Sequence, residues 1–168
     1  MNKMENKRKI GLRPKVNTDA KILILGSFPG EDSLRAGEYY ANNRNIFWKI
    51  IFKILNKKDP NNYEDRIRIL QQCGIGLWDV VCACYREGSA DSDIVKPKLN
   101  KIPEMLENIA SLKAIFINGG KAGKLFNRKF LKDNLNVYIE VLPSTSPANA
   151  RQTFEYKYSK WIIFKKFL

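Results

Sequence analysis

Four short apolar runs, each followed by Gly, Pro, Ser, Asn or Cys, place the strongest constraint on the fold of this chain. The runs lie at 22–25, 75–81, 113–117 and 137–142. Between and after them, apolar residues recur with helical spacing. This spacing predicts helices at 45–56, 63–72, 99–110, 121–131 and 153–168. Short buried strands that alternate with helices are typical of a parallel sheet covered on both faces. The sequence therefore predicts an α/β fold, a three-layer α/β/α sandwich around a four-stranded, mainly parallel sheet.

The size and charge of the chain narrow the possible functions. Its 168 residues fit one domain, which we place at 21–168 behind a basic N-terminal arm at 1–20. Thirty Lys and Arg against 17 Asp and Glu give a net charge of +13, which favours a polyanionic partner such as nucleic acid. Part of this excess can instead be compositional. No apolar run is long enough to span a membrane and the first residues lack a signal-peptide core, so we expect a cytoplasmic protein without membrane contact.

The sequence lacks the motifs by which metal sites and nucleotide-cofactor sites are recognised. The chain has no histidine, and its cysteines, Cys73, Cys82 and Cys84, do not have the spacing of a zinc site. A P-loop is absent, and no GxGxxG follows the first strand. We therefore predict no metal and no cofactor. Three acidic residues keep open the alternative of a metal-dependent nuclease or hydrolase: Asp79, Glu87 and Asp91.

Three polar loops follow predicted strands, at 26–45, 82–92 and 143–150. Since the carboxyl ends of parallel strands meet at one edge of the sheet, we expect the three loops to converge there. The first loop combines aromatic rings with amides: Phe28, Tyr39, Tyr40, Asn42, Asn43 and Asn45. Aromatic rings stack on bases, and amides read a base edge or hold a water molecule. The plainer alternative is that one tyrosine packs in the core and that Asn45 caps the following helix.

Two segments of the first loop, GSFPG at 26–30 and YANNRNIFW at 40–48, resemble the first motif of the uracil-DNA glycosylase superfamily. Residues 78–91 and 142–148 are also similar to the family-six branch, the hypoxanthine-DNA (deoxyinosine) glycosylases. The resemblance covers roughly residues 20 to 165. It implies a uracil-DNA glycosylase-like fold and a monofunctional DNA glycosylase of base-excision repair. Such an enzyme would be a monomer that flips a deaminated or mismatched base, hypoxanthine first, out of double-stranded DNA. A uracil- or mismatch-specific glycosylase and a non-catalytic nucleic-acid-binding module remain as alternatives.

The resemblance also implies roles for individual residues. Phe28 stands where uracil-specific families carry a water-activating Asp or Asn. In the family-six pattern the catalytic amide lies later in the sequence, and Asn45 matches that position. Tyr40 matches the ring that stacks on the flipped base. The base-binding pocket is then expected to comprise Gly26, Ser27, Phe28, Tyr40, Asp79 and Ser144. The DNA-contacting wedge is expected at Ser146, Pro147, Ala148, Asn149 and Arg151. Some branches of the superfamily bind an iron–sulfur cluster through four cysteines, which three cysteines cannot do.

Overall fold

A computed structural model describes residues 7–130 and 135–168. Its strands, in chain order, are β1 (Lys9–Ile10), β2 (Ile22–Gly26), β3 (Ile75–Asp79), β4 (Val81–Tyr85), β5 (Val95–Leu99), β6 (Ala114–Asn118) and β7 (Tyr138–Leu142). Its α-helices are α1 (Glu31–Ala36), α2 (Phe47–Leu55), α3 (Tyr63–Gln72), α4 (Ile102–Leu106), α5 (Gly120–Phe130) and α6 (Phe154–Trp161). Short 3₁₀ segments cover Asp91–Asp93 and Ile162–Phe167.

The central sheet has four parallel strands in the order β3-β2-β6-β7. This arrangement confirms the predicted α/β sandwich. Gly26 at the end of β2 pairs with Asp79 at the end of β3. Asn118 at the end of β6 pairs with Leu142 at the end of β7. The last residues of all four strands therefore lie along one edge of the sheet, where the following loops begin.

Side-chain alternation along β2 explains the three layers. Ile22 and Ile24 face a core formed with α2, α3 and α6, whereas Leu23 and Leu25 face a second core formed with α4 and α5. All four side chains are fully buried. Burial of each contributes about 1.5–3 kcal/mol, and a strand that is apolar at every position can gain this on both faces.

A second sheet of three antiparallel strands, β1-β4-β5, was not predicted. The apolar run predicted as one strand at 75–81 divides at Val80, so that β3 joins the parallel sheet and β4 turns into the antiparallel one. The partner strand β5 has the sequence VKPKL and is largely exposed. Its lysines and proline remove the apolar pattern by which a strand is recognised.

The helices agree with prediction except in three places. Helix α1 was read as part of the first loop, and α4 is shorter than the predicted helix at 99–110 because β5 occupies its start. The last predicted helix changes from α-helical to 3₁₀ geometry at Ile162. The final residue of the helix predicted at 121–131 lies outside the described residues.

The N-terminal segment packs on the domain, which differs from the expected arm. Lys9 and Ile10 pair with β4, and the Lys15 amide donates to the Leu77 carbonyl oxygen at 2.9 Å. Val16 packs against the second core, so this segment gains both backbone pairing and apolar contact. Residues 1–6 lie outside the described part of the chain, and the domain boundary at residue 20 stays a prediction. Within the described residues, no helix is both long and apolar enough to cross a lipid bilayer.

Candidate active site

The last residues of β2, β3 and β6, with the loops that follow β2, β4 and β7, line a cavity of about 340 Å³. All but one of the residues predicted for the site line it: Gly26, Ser27, Phe28, Tyr40, Asn45, Asp79, Ser144, Ser146, Pro147, Ala148 and Asn149. The exception is Arg151, which is exposed and lies beyond the cavity wall. Residues from three separate segments of the chain thus meet because they follow neighbouring parallel strands.

Gly26 forms a wall of the cavity at the carboxyl end of β2. A Cβ atom built on this residue would lie 2.5 Å from Oδ1 of Asp79 and 3.6 Å from the hydroxyl oxygen of Tyr40. A contact of 2.5 Å with a buried carboxylate is shorter than van der Waals packing allows. Glycine at this position therefore lets Asp79 approach the backbone of the first loop.

Asp79 is a buried carboxyl in the cavity wall, and only 4% of its surface is exposed. Its Oδ2 atom has no hydrogen-bond partner among the described residues. Burial, with a further contribution from the negative charge of Asp91, raises the pKa of Asp79 to about 8, although Arg86 opposes the shift. Asp79 is therefore mostly a neutral carboxylic acid at pH 7.

Asp91 also lines the cavity, as does Asp32, and the surroundings of Asp91 differ from those of Asp79. Its Oδ1 accepts a hydrogen bond from the Ser27 hydroxyl at 2.5 Å. Burial raises the pKa of Asp91, while the Ser27 hydrogen bond and the charges of Arg86 and Lys121 lower it. Arg86 favours the charged form of both carboxyls, but only Asp91 also has the Ser27 hydrogen bond and the charge of Lys121. Asp79 and Asp91 therefore have different protonation preferences.

Tyr40 contributes an aromatic ring to the cavity from a backbone with φ of 55°, a conformation that non-glycine residues rarely adopt. Phe47 stacks on one face of this ring, with 3.7 Å between the ring centroids. A planar ligand can therefore stack only on the opposite face. Tyr39 is 3% exposed and donates its hydroxyl to the Arg13 carbonyl oxygen, as expected for one tyrosine of the pair.

Asn118 and Thr145 line the cavity but were not among the predicted site residues. The Asn118 amide donates to the Thr145 hydroxyl at 2.9 Å and to the Tyr40 hydroxyl at 3.3 Å, and its Oδ1 accepts from the Thr145 backbone amide. Asn118 thereby ties the last loop to the first. It is the final residue of β6, so the rule that pointed to the other strand ends would have found it.

Asn45 lines the cavity and also holds the start of α2. Its Oδ1 accepts a hydrogen bond from the Phe47 backbone amide at 3.0 Å. The N-cap residue is Ile46, so the bond that the sequence suggested as a helix cap comes from the residue before the N-cap. Among residues 7–130 and 135–168, its Nδ2 has no partner. An amide oxygen accepts two hydrogen bonds, so Asn45 can hold the helix and still bind a water molecule or a base.

The loop after β7 is held by its own side chains. The Asn149 amide donates to the Ser144 carbonyl oxygen and to Gln152, and the buried Lys157 ammonium donates to the Asn149 carbonyl oxygen at 2.8 Å. The Asn149 side chain is thus engaged within the protein. Ala148, which is exposed, lies at the rim of the cavity. Assignment of the DNA wedge stays a prediction.

The acidic residues behind the nuclease alternative do not form one cluster. Asp79 and Asp91 line the cavity, whereas Glu87 is exposed on the β4–β5 connection and does not. In the part of the chain that the structure describes, no three His, Cys, Asp or Glu side chains are grouped as metal ligands would be. The walls instead offer an aromatic face, amides, hydroxyls and one neutral acid, which suit a flat polar heterocycle.

Comparison with known proteins agrees with this chemistry. The model of the uracil DNA glycosylase superfamily matches residues 14–165. A protein of Methanosarcina acetivorans described as a hypoxanthine DNA glycosylase is 36% identical over 144 residues, which cover 85% of this chain and 89% of that protein. A protein of Methanosarcina barkeri with the same description is 32% identical over 155 residues, or 92% and 96% of the two chains.

Similarity extends to a solved structure. The solution NMR structure of a provisionally named uracil DNA glycosylase from Methanosarcina acetivorans superposes with a TM-score of 0.83 at 34% identity. The match covers 95% of this chain and 98% of that one. The fold and the sequence thus agree over nearly the whole chain.

Proposed function

Because the chain belongs to the uracil DNA glycosylase superfamily and is a DNA glycosylase, we propose that it excises hypoxanthine from deoxyinosine in double-stranded DNA. Hypoxanthine is proposed as the substrate because the chain is similar, over almost its full length, to two relatives described as hypoxanthine DNA glycosylases. The enzyme is monofunctional: water, and no amine of the protein, replaces the base at C1′. It acts as a monomer in the cytoplasm.

The cavity receives a base that has left the duplex. A base inside the helix cannot reach a closed pocket, and its extrusion costs roughly a few kcal/mol, least for a mispaired base. The free face of Tyr40 stacks on the extruded ring. The Asn118 Nδ2 already donates to Thr145 and Tyr40, so Asn118 offers the base the second acceptor position of its Oδ1. The loop with Pro147 and Ala148 lies at the rim, where it fills the gap left in the duplex.

Asn45 orients the attacking water in this proposal. An amide is too weak a base to deprotonate water before the bond to the base has stretched. It suits a reaction in which C1′ already carries oxocarbenium character when water adds. The hydrogen bond from the Phe47 backbone amide fixes the amide plane, so the remaining acceptor site of Oδ1 has a defined direction.

Hydrogen-bond donors in the wall complement the charge that develops on the departing base. Lys and Arg outside the cavity hold the phosphates of the DNA, in keeping with the net charge of +13. On α2, the ammonium groups of Lys49 and Lys53 lie over aromatic rings of α6, at 4.5 Å and 4.6 Å from the centroids of Phe154 and Tyr158. These contacts position two of the cations that would meet the DNA backbone.

The test uses a panel of duplexes that carry one inosine, uracil, xanthine or mismatched thymine, each incubated with enzyme in EDTA and then cleaved with alkali. We expect abasic product with inosine at the highest rate, and no loss of activity in EDTA. Faster release of uracil than of hypoxanthine would support the uracil-specific alternative. Tight binding of inosine DNA without any base release would instead indicate the non-catalytic binding module.

A further inference from the structure

We propose, on the premise that the enzyme excises hypoxanthine, that Asp79 is the general acid that protonates the purine as it departs. Asp79 is 4% exposed, lies in the cavity wall and leaves Oδ2 without a partner among the described residues. An unpaired buried polar atom is costly and needs a reason. A ligand base that occupies the cavity would supply the missing partner.

The hydrogen-bond partners of Asp79 differ from those of Asp91. Asp91 accepts a hydrogen bond from Ser27, which stabilises a carboxylate. Asp79 instead packs against the backbone of Gly26, where no donor meets it. Its pKa of about 8 keeps the proton on Asp79 at neutral pH. A carboxylic acid that holds its proton near the working pH is suited to general-acid catalysis.

The chemical step is balanced. The C1′–N9 bond breaks and its electron pair goes to the purine, whose charge spreads to N7 and O6. The Asp79 proton moves to one of these two neighbouring acceptors, which leaves a carboxylate at Asp79. Water adds to C1′, and its surplus proton returns to the Asp79 carboxylate. The products are neutral hypoxanthine and an abasic site, and the acid is regenerated without metal or redox partner.

Several titratable groups face Asp79 from the elements packed around it: Tyr39 and Tyr40 before α2, Tyr63 on α3, Arg86 after β4, and Asp91 in the 3₁₀ turn. Lys121 on α5 acts on Asp91. Burial raises the pKa of each of the three tyrosines above its ordinary value. The three tyrosines therefore titrate at higher pH than Asp79, and the part that the other raised carboxyl, Asp91, plays in the pH profile is measured with Asp91→Asn.

The experiment measures single-turnover release of hypoxanthine between pH 6 and pH 10 for the wild type, Asp79→Asn, Asp91→Asn and Asp93→Asn. We expect the wild-type rate to fall about tenfold per pH unit above a midpoint near 8, since only the protonated acid reacts. Asp79→Asn keeps the shape of the side chain but cannot give up a proton. It should be slower at pH 7 by roughly 10²-fold or more and should lack this alkaline limb.

The other two variants sharpen the test. Burial is the larger cause of the raised Asp79 pKa, and Asp91→Asn removes the negative charge that adds to it, so the alkaline limb of this variant should move to lower pH. Asp93→Asn makes the same chemical change on an exposed side chain of the same turn and should keep the wild-type profile. Titration of inosine itself is common to all four proteins, so a limb that persists in Asp79→Asn belongs to the substrate and overturns the proposal.

Two further results would also reject it: a wild-type rate that rises through pH 8, which would make Asp79 a base, or an Asp79→Asn enzyme as fast as the wild type. If Asp79→Asn does not fold, the pH profile of Asp91→Asn is the deciding measurement. An alkaline decrease in rate with the same midpoint as in the wild type would then reject Asp79 as the general acid. Failure of the wild type to release any base would instead reject the proposed substrate. The two proposals therefore fail in different ways.

Discussion

Replacement of Asp79 by Asn should stabilise the protein, and the gain should grow with pH. The folded-state pKa of Asp79 is about 8, compared with about 4 in an unfolded chain. Between these values the folded protein holds a proton that the unfolded chain releases. The stability contributed by this group is complete below pH 4 and is lost as pH rises through 8.

The magnitude follows from the shift. Each unit between the two pKa values costs about 1.4 kcal/mol, so at pH 7 the folded protein has lost about 4 kcal/mol relative to pH 4 at this one residue. Asn fills nearly the same volume and does not titrate. The difference in unfolding free energy between Asp79→Asn and the wild type should therefore rise by about 1.4 kcal/mol per pH unit from pH 4 to pH 8 and level off above it.

The assay is urea unfolding of both proteins, followed by circular dichroism at several pH values. Other titrating groups, such as Asp59, whose pKa the paired Arg66 lowers, act equally in both proteins and cancel in the difference. Asp93→Asn is the control, because its side chain is exposed and should show no such slope. A difference that stays constant within about 1 kcal/mol from pH 5 to pH 8 would show that Asp79 is not held neutral, and the reasoning would fail.

Three other outcomes are expected. Asn45→Ala should lower single-turnover base release by roughly 10²-fold while DNA binding changes little, whereas a residue that only holds the start of α2 would cost about 1 kcal/mol of stability with turnover intact. Gly26→Ala should lower release and binding of the extruded base together, because the new Cβ would displace Asp79, and a crystal structure of the variant with Asp79 in its wild-type position would contradict this reasoning. Affinity for duplex DNA should fall with salt with a log–log slope of about 0.9 per neutralised phosphate, and a flat dependence would mark the positive charge as compositional.

The parallel sheet was predictable because each of its strands is a short apolar run that can be recognised from its own residues. β2 has the sequence ILILG and is buried at every position, so an apolar run of the right length suffices to find it. β5 could not be predicted in this way, because it is an exposed edge strand with two lysines and a proline and is defined by its pairing with β4. Helix α1 was also missed, since its six residues are too few to show a clear helical pattern.

The positions of the site residues were predictable for the same reason, but their chemical states were not. The rule that loops converge at the carboxyl ends of parallel strands places Gly26, Asp79 and Asn118 along one edge. The protonation state of Asp79 depends on groups far away in the sequence, among them Asp91 and Arg86, and on the depth of its burial. The pKa of a buried carboxyl depends on its dielectric surroundings, which cannot be read from a sequence pattern.

A comparison of Asp with Asn at position 79 distinguishes what packing requires there from what the chemistry requires. An asparagine would fill the space beside Gly26 and remove a pH-dependent cost of about 4 kcal/mol at neutral pH, so packing and stability both favour the amide. A carboxyl differs from that amide in one capacity that matters here, which is to hold a proton at pH 7 and to give it up. The proposed general-acid role would explain why a carboxyl is buried at position 79 despite this cost. If it is correct, the rate and stability of one variant, Asp79→Asn, should change in opposite directions.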